Sequence, residues 1–267
     1  MSCAEGVSIV TDGLVEVIDP AYATGTGTYN LTNKLSKSTI VSNNFTVGST
    51  LPVTTLLSNT DATGAGSSYA TVTRNTALES GSITFSIWFN LNNVPLHTGV
   101  NNDYRVLLTT AASAGTSGYP LSMIVEYAGI LNFNTVQTDL PTTVRRFLNG
   151  SFAPVTLTLD GWQNIVYTYA SATGVAACYK NNTLIRTGPM TTDTIGSNAT
   201  TAGTSLVYTN YTSTGFRFYA GSNLNTANPN GNGPVPGQMG IIHIYNTALS
   251  AADVSQNFNA IRGRYGI

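Results

Sequence analysis

The carboxylic acids of this chain are too scattered to form the paired site that sugar hydrolysis needs. That reaction uses two carboxyl groups a few ångströms apart, one of which donates a proton, and alternate positions of one strand would supply them. Glu126 is the only acid in its predicted strand. The densest acids, Asp12, Glu16 and Asp19, bracket the first predicted strand and are expected in the turns that end it. The sequence therefore predicts no catalytic residue and no enzyme activity.

Metal-binding and nucleophilic motifs are missing as well. His97, in a polar segment, and His243, in a predicted strand, lack the spacing of a zinc site. No nucleophile-elbow motif is present. Asp160, Asn164 and the segment 223–232 offer oxygen atoms of the kind that calcium prefers, but such oxygens are common in any β loop. We predict no cofactor, with calcium as an alternative that the sequence does not support.

Aromatic and amide side chains gather in the last third of the chain, where they could bind a sugar. Aromatic rings offer a flat apolar platform, and a few well-placed polar groups fix the orientation of a ligand. The predicted glycan or partner contacts are Tyr208, Asn210, Tyr211, Tyr219 and Asn223. The alternative is that most of the 14 tyrosines are half-buried sheet residues. Trp88 and Trp162 lie inside strand patterns, and we expect them in the core, where they would anchor the two sheets.

The composition excludes several classes of partner. Only 9% of the 267 residues are charged, 42% are hydrophobic, and the net charge is −1. We therefore expect neither nucleic acid nor an anionic membrane as a partner. No stretch approaches the roughly 18 apolar residues of a membrane span. Two cysteines cannot build a disulfide framework, and Cys178 reads as a small core residue.

Most of the chain follows the alternating pattern of β-strands. Strands are predicted at 13–19, 82–91, 161–169 and 174–180, of which 82–91 has the strongest pattern, and short Gly, Asn and Ser clusters separate the strands. About a dozen such strands and a single helix predict an all-β fold, a two-sheet antiparallel β-sandwich of the jelly-roll kind. The segment 240–245 is expected to be a half-buried strand.

The single predicted helix lies at the C-terminus. Ser250 and Asp253 have the spacing of a capping box, and Leu249 and Val254 that of a hydrophobic staple. Val254, Phe258 and Ile261 fall on one helical face, and we expect Gly263 to end the helix.

Several segments in this order resemble the laminin-G-like, concanavalin A-like lectin/glucanase superfamily. They are Trp162-Gln-Asn-Ile-Val-Tyr-Thr-Tyr, Val175-x-x-Cys-Tyr-Lys-Asn-Asn-x-Leu, Phe218-x-Ala-Gly and Gly237-x-x-x-Ile-Ile-His-Ile-Tyr-Asn-x-Ala-Leu-Ser-x-x-Asp. The resemblance implies one domain over 12–267, preceded by an N-terminal arm at 1–11. The ending 257–267 is similar to that of such domains in structural proteins of tailed bacteriophages.

The resemblance implies a non-enzymatic virion structural protein, a capsid decoration (cement) protein that binds the head shell. We then expect a location on the capsid surface, the major capsid protein or another virion protein as partner, and a homo-oligomer. Residues 1–12, 92–102 and 221–237 are the predicted shell contacts. The alternative is a carbohydrate-binding adhesin or tail-fibre component that recognises host surface glycans.

Overall fold

The computed structural model describes residues 7–20, 81–91, 157–188 and 238–267 with their side chains, and elsewhere only the backbone of further strands. The strands in chain order are β1 (Leu14–Ile18), β2 (Ala23–Thr24), β3 (Thr28–Thr32), β4 (Thr39–Asn43), β5 (Phe45–Thr50), β6 (Val53–Ser58), β7 (Tyr69–Val72), β8 (Ile83–Leu91), β9 (Tyr104–Thr110), β10 (Ser122–Glu126), β11 (Ile130–Gln137), β12 (Val144–Phe147), β13 (Val155–Thr156), β14 (Trp162–Ala170), β15 (Val175–Lys180), β16 (Thr183–Pro189), β17 (Thr191–Thr194), β18 (Phe216–Tyr219) and β19 (Gly237–Tyr245). The helix α1 spans Ala251–Ile261, and a 3-10 turn follows at Arg262–Tyr265. Within the described ranges, no helix has the length and apolar character needed to cross a membrane.

The strands form two antiparallel sheets, which confirms the predicted β-sandwich with one short C-terminal helix. The first sheet has eight strands in the order β16-β15-β14-β8-β19-β6-β5, with β1 paired to β19. The second has eleven strands in the order β17-β12-β11-β10-β9-β18-β7-β4-β3-β2, with β13 paired to β11. Neighbours in sequence are often not neighbours in the sheet, since β8 lies between β14 and β19.

The central strands of the first sheet are buried on both faces. One face, which we call the core face, carries Phe85, Ile87 and Ile244, each at most 1% exposed. The other, the helix face, carries Trp88 and His243 and is covered by α1. The expectation of a half-buried strand at 240–245 is therefore wrong, because the helix adds a third layer over the side that a bare sandwich would leave to solvent.

The strands β14, β15 and β16 form an antiparallel meander. Asn181 and Asn182 make the tight turn between β15 and β16 with φ of 47° and 65°. Two consecutive positive φ values are what a type I′ hairpin turn requires, and asparagine tolerates them well. This meander ends the first sheet at β16.

The C-terminal helix begins as the sequence predicts, and α1 ends at Ile261 with Arg262 as its C-cap, just before Gly263. The Ser250 side chain accepts a hydrogen bond from Asp253 N, and Asp253 Oδ2 accepts one from Ser250 N at 2.9 Å. Leu249 and Val254 lie in one buried cluster, which confirms the staple. Gly263, however, lies inside the 3-10 turn, and the left-handed residue that ends the helical segment is Gly266, with φ of 75°. The α-helix therefore stops where the sequence predicts, and a 3-10 turn follows it up to Gly266.

The chain segment before β1 packs against the C-terminal helix. Val10 N donates a hydrogen bond to Asn257 Oδ1 at 2.7 Å, and the Gln256 side chain donates one to Ser8 O at 2.8 Å. Tyr245 Oη donates to Val10 O at 3.2 Å. Residues 8–10 are thus held by the domain. The predicted division into an arm at 1–11 and one domain at 12–267 stays a prediction.

Candidate functional site

The predicted glycan contacts lie almost entirely outside the described residues. Tyr219 is the last residue of β18, where its backbone pairs with Tyr69 of β7. Tyr208, Asn210, Tyr211 and Asn223 lie outside the described part of the chain. So do the segments 92–102 and 221–236, which were predicted as shell contacts. The platform around residue 210 therefore stays a prediction.

The acids around β1 do not all lie in turns as expected. Asp12 is exposed in the turn before β1, as predicted. Glu16 is fully buried in the middle of the strand, where it pairs with Ile244, and Asp19 is 7% exposed. The strand is more deeply enclosed than its acids suggested. Glu126 is the last residue of β10.

Of the residues proposed to offer oxygen atoms to calcium, only Asp160 and Asn164 lie among the described residues. No group of three or more His, Cys, Asp or Glu side chains there could hold a metal ion. Asn164 is buried on the helix face, where its amide nitrogen donates to Ser86 Oγ at 3.1 Å and to Ile87 O at 3.2 Å. Asp160 is exposed with φ of 55°.

Four aromatic rings form a column beneath and beside the C-terminal helix. Phe258 stacks on Trp88 with ring centroids 5.6 Å apart, and Trp88 stacks on Tyr265 at 4.5 Å. Tyr265 then contacts Trp162 at 4.4 Å with the rings tilted by 41°. The sequence predicted that Trp88 and Trp162 anchor the two sheets to each other. This prediction is wrong, because both side chains lie on the helix face. Trp88 is 1% exposed, whereas Trp162 is only partly buried.

A backbone irregularity in β19 fixes Tyr265 in this column. The pairing of β19 with β8 shifts between Met239 and Ile242, so Gly240 and Ile241 leave the regular ladder. Ile241 N donates instead to Tyr265 Oη at 2.6 Å. A Cβ at Gly240 would overlap the phenol ring of Tyr265. Burial is the main cause that raises the pKa of Tyr265 above its ordinary value, so the phenol stays neutral.

An ion pair ties the 3-10 turn to the end of β1. The two terminal nitrogens of Arg264 donate to the two carboxylate oxygens of Asp19 at 2.7 and 2.6 Å. This two-pronged geometry is the strongest form of such a pair. The Arg264 guanidinium also lies 5.8 Å from the centre of the Tyr265 ring. The pair holds the end of the chain against the sheet.

His243 is buried on the helix face without a hydrogen bond to either ring nitrogen from the described residues. Its ring meets that of Tyr245 edge-on, with centroids 6.3 Å apart. Burial lowers the pKa of His243 to about 4; the nearby Asp19 acts against this and Arg264 adds to it. The imidazole is therefore neutral at pH 7, which does not suit a group that must exchange protons near neutrality.

Three side chains at the rim of the helix face form a row that the sequence analysis missed. Asn90 of β8 pairs with Trp162 of β14 on one side and with Gln238 of β19 on the other. All three residues are partly exposed. We call Trp162, Asn90 and Gln238 the rim row. In the sequence the row is a weak signal, because Trp162 and Gln238 lie near the starts of their strands, Asn90 lies near the end of its strand, and only the strand order brings them together.

No sequence relationship identifies this chain. The sequence matches no protein-family model, and a comparison with curated proteins gives no match either.

Solved structures share the fold at low sequence identity. Trypanosoma rangeli sialidase in complex with sialic acid matches with a TM-score of 0.62 and 11% identity over 97% of this chain and 35% of the sialidase. The binding domain of botulinum neurotoxin DC in complex with SialylT matches with a TM-score of 0.56 and 13% identity over 94% of this chain and 52% of that one.

A third match is botulinum neurotoxin type C, whose cell entry depends on interaction with two ganglioside molecules. It has a TM-score of 0.58 and 13% identity over 93% of this chain and 51% of the toxin chain. The chain thus spans about a third of the sialidase and about half of the toxin chains that it matches. At these identities the likeness establishes the fold alone.

Proposed function

We propose that this chain is a non-enzymatic carbohydrate-binding module. The observation that carries the proposal is the likeness, over 93–97% of the chain, to sandwiches in proteins described with sialic acid, SialylT and gangliosides. The alternative interpretation from the sequence, a module that recognises host surface glycans, therefore has more support than the head-shell interpretation.

The composition agrees with this function. With 9% charged residues, the exterior is rich in neutral polar groups. Neutral hydroxyls and amides cost less to desolvate than charges do, so such a surface suits a hydroxyl-rich ligand. Sialidase activity does not transfer with the fold, because the match leaves about two thirds of the sialidase uncovered. Asp19, one of the acids around β1, is paired with Arg264.

The biological setting stays a prediction. A host-facing appendage of a tailed bacteriophage would use a glycan-binding module directly, whereas a cement protein would bind the head shell through the same neutral surface. A virion location, a capsid partner and a homo-oligomer are all expectations from the sequence. Imaging of intact particles would locate the protein.

A glycan array probed with the full chain tests the proposed function. We expect reproducible binding to a subset of glycans and no release of free sugar on prolonged incubation with sialyl glycans. Tyr219→Ala tests the predicted platform, with Thr183→Ala on the exposed edge strand β16 as a matched control. Absence of binding to any glycan at millimolar sugar would refute the proposal. Release of sialic acid would show an enzyme instead.

A further inference from the structure

We infer that the rim row, formed by Trp162, Asn90 and Gln238, is a glycan-contact site that takes a neutral sugar ring. The inference rests on the proposed carbohydrate binding and names a place for it. It differs from the platform around residue 210, since the rim row belongs to the described part of the first sheet.

The three side chains lie side by side on one face of three neighbouring strands. Directly paired residues on one face have Cβ atoms about 5 Å apart, and Asn90 is paired directly with both of the others. Two strand spacings give the row a length of about 10 Å. All three residues are partly exposed, so the row is open to a ligand, with the Asn90 Oδ1 atom turned inward in the free protein.

The chemistry of the rim row suits a sugar. A sugar ring presents C–H groups on its face and hydroxyl groups at its edge. The Trp162 ring offers an apolar surface for the face, and two amides each offer donors and an acceptor for hydroxyls. The row itself carries no charge, and the nearby Arg264 is already paired with Asp19. We therefore expect a neutral sugar unit on the ring, whatever acidic unit the glycan carries elsewhere.

Asn90 contains an acceptor that the protein leaves unused. Its Oδ1 is buried and has no hydrogen-bond partner among the described residues. A buried acceptor without a partner costs about 1–3 kcal/mol. A small rotation of the amide toward a ligand hydroxyl would recover this energy, which gives the bound state an advantage over the free state.

The Trp162 ring is held in place before any ligand arrives. Trp162 rests on Tyr265, whose hydroxyl is held by Ile241 N and whose ring is stacked on Trp88. Holding a ring in place in advance reduces the entropy lost on binding. Trp88 belongs to the same aromatic column, but it is only 1% exposed and, unlike Trp162, cannot contact a ligand.

Titration of the full chain with lactose and with 3′-sialyllactose, followed by intrinsic fluorescence, tests the inference. Of the two tryptophans, only Trp162 is open to a ligand, so a fluorescence change on sugar addition is expected in the wild type. It should be lost in Trp162→Phe, which keeps a ring against Tyr265. Asn90→Ala and Gln238→Ala should each weaken binding about tenfold, which corresponds to the loss of one hydrogen bond. Thr183→Ala should bind as the wild type does.

The outcomes separate the site from the function. One outcome is that the wild type binds either sugar and that the rim-row variants, folded by near-ultraviolet circular dichroism, bind it equally well. This outcome overturns the inference and leaves the proposed function standing. If Tyr219→Ala is the variant that loses binding and the rim-row variants keep it, the inference is likewise overturned and the proposed function stands. If the wild type binds neither sugar nor any glycan on the array, the proposed function fails, and the inference fails with it.

Discussion

Replacing His243 with leucine should remove a loss of stability of about 3 kcal/mol that the wild-type protein undergoes between pH 7 and pH 4. The imidazole is fully buried, and its pKa falls from the ordinary 6.5 to about 4, mainly because burial disfavours the charged form. Each pKa unit is worth about 1.4 kcal/mol. The interval between the two values therefore corresponds to about 3 kcal/mol in the free energy of unfolding.

The sign follows from which state binds the proton first. In the unfolded chain His243 takes up a proton as the pH falls through 6.5, whereas in the folded protein it does so only near pH 4. Between these values the unfolded state binds more protons, so acid favours unfolding. The loss of stability caused by His243 is absent above pH 7 and reaches its full size near pH 4. Leucine does not titrate, and it loses no hydrogen bond because the ring nitrogens have no partner among the described residues.

Urea denaturation at pH 7, 6, 5 and 4, followed by tryptophan fluorescence, measures this directly. Trp88 lies on the same face as His243 and reports on the layer that α1 covers. The other titratable side chains are the same in both proteins, so the difference between wild type and His243→Leu reports on the histidine. His243→Gln should also lack the histidine's loss of stability in acid, but it should be less stable than His243→Leu at every pH because it buries an amide without partners. A wild type and a leucine variant that lose equal stability by pH 4 would refute the reasoning.

Two further substitutions test the packing. Gly240→Ala should destabilise the domain by about 3 kcal/mol or more, because the new methyl group would overlap the Tyr265 ring; Gly188→Ala, with no atom within 4 Å of the added carbon, is the matched control. Equal urea midpoints for the two variants would show that the ring moves away freely. In a Cys3→Ser background, Cys178 should react with a thiol reagent at pH 8 only after unfolding, since burial raises its pKa to about 12. Rapid labelling of the folded protein would contradict this.

The parts of the fold that depend on neighbours in sequence could be predicted from the sequence. The capping box of Ser250 and Asp253 and the turn at Asn181 and Asn182 need only residues a few positions apart. The face of a strand that is covered depends on distant residues. The Arg264–Asp19 pair joins residues 245 positions apart, and nothing in one sequence shows that they meet.

The prediction that the tryptophans anchor the two sheets was wrong for the same reason. A tryptophan in an alternating pattern is expected to be buried, and Trp88 is. The pattern does not show whether the other sheet or a helix buries it. Because α1 returns across the first sheet, Trp88 and Trp162 pack under the helix. The rim row was missed because it depends on the order β14-β8-β19, which places a strand from the first half of the chain between two later ones.

The helical layer also restricts where a ligand can bind on the first sheet. In a bare two-layer sandwich, the outer face of a sheet is open along its whole length. Here α1, the 3-10 turn and residues 8–10 cover the middle of that face, where Trp88, His243 and Tyr245 are each at most 1% exposed. Among the described residues of β8, β14 and β19, the outward side chains become partly exposed only near the strand ends, at Trp162, Asn90 and Gln238 at one end and at Ala170 at the other. In sequence, Asn90 lies two residues before the segment 92–102, and Gln238 directly follows the segment 221–237. The rim row therefore connects the sheet to two segments that we predicted as shell contacts.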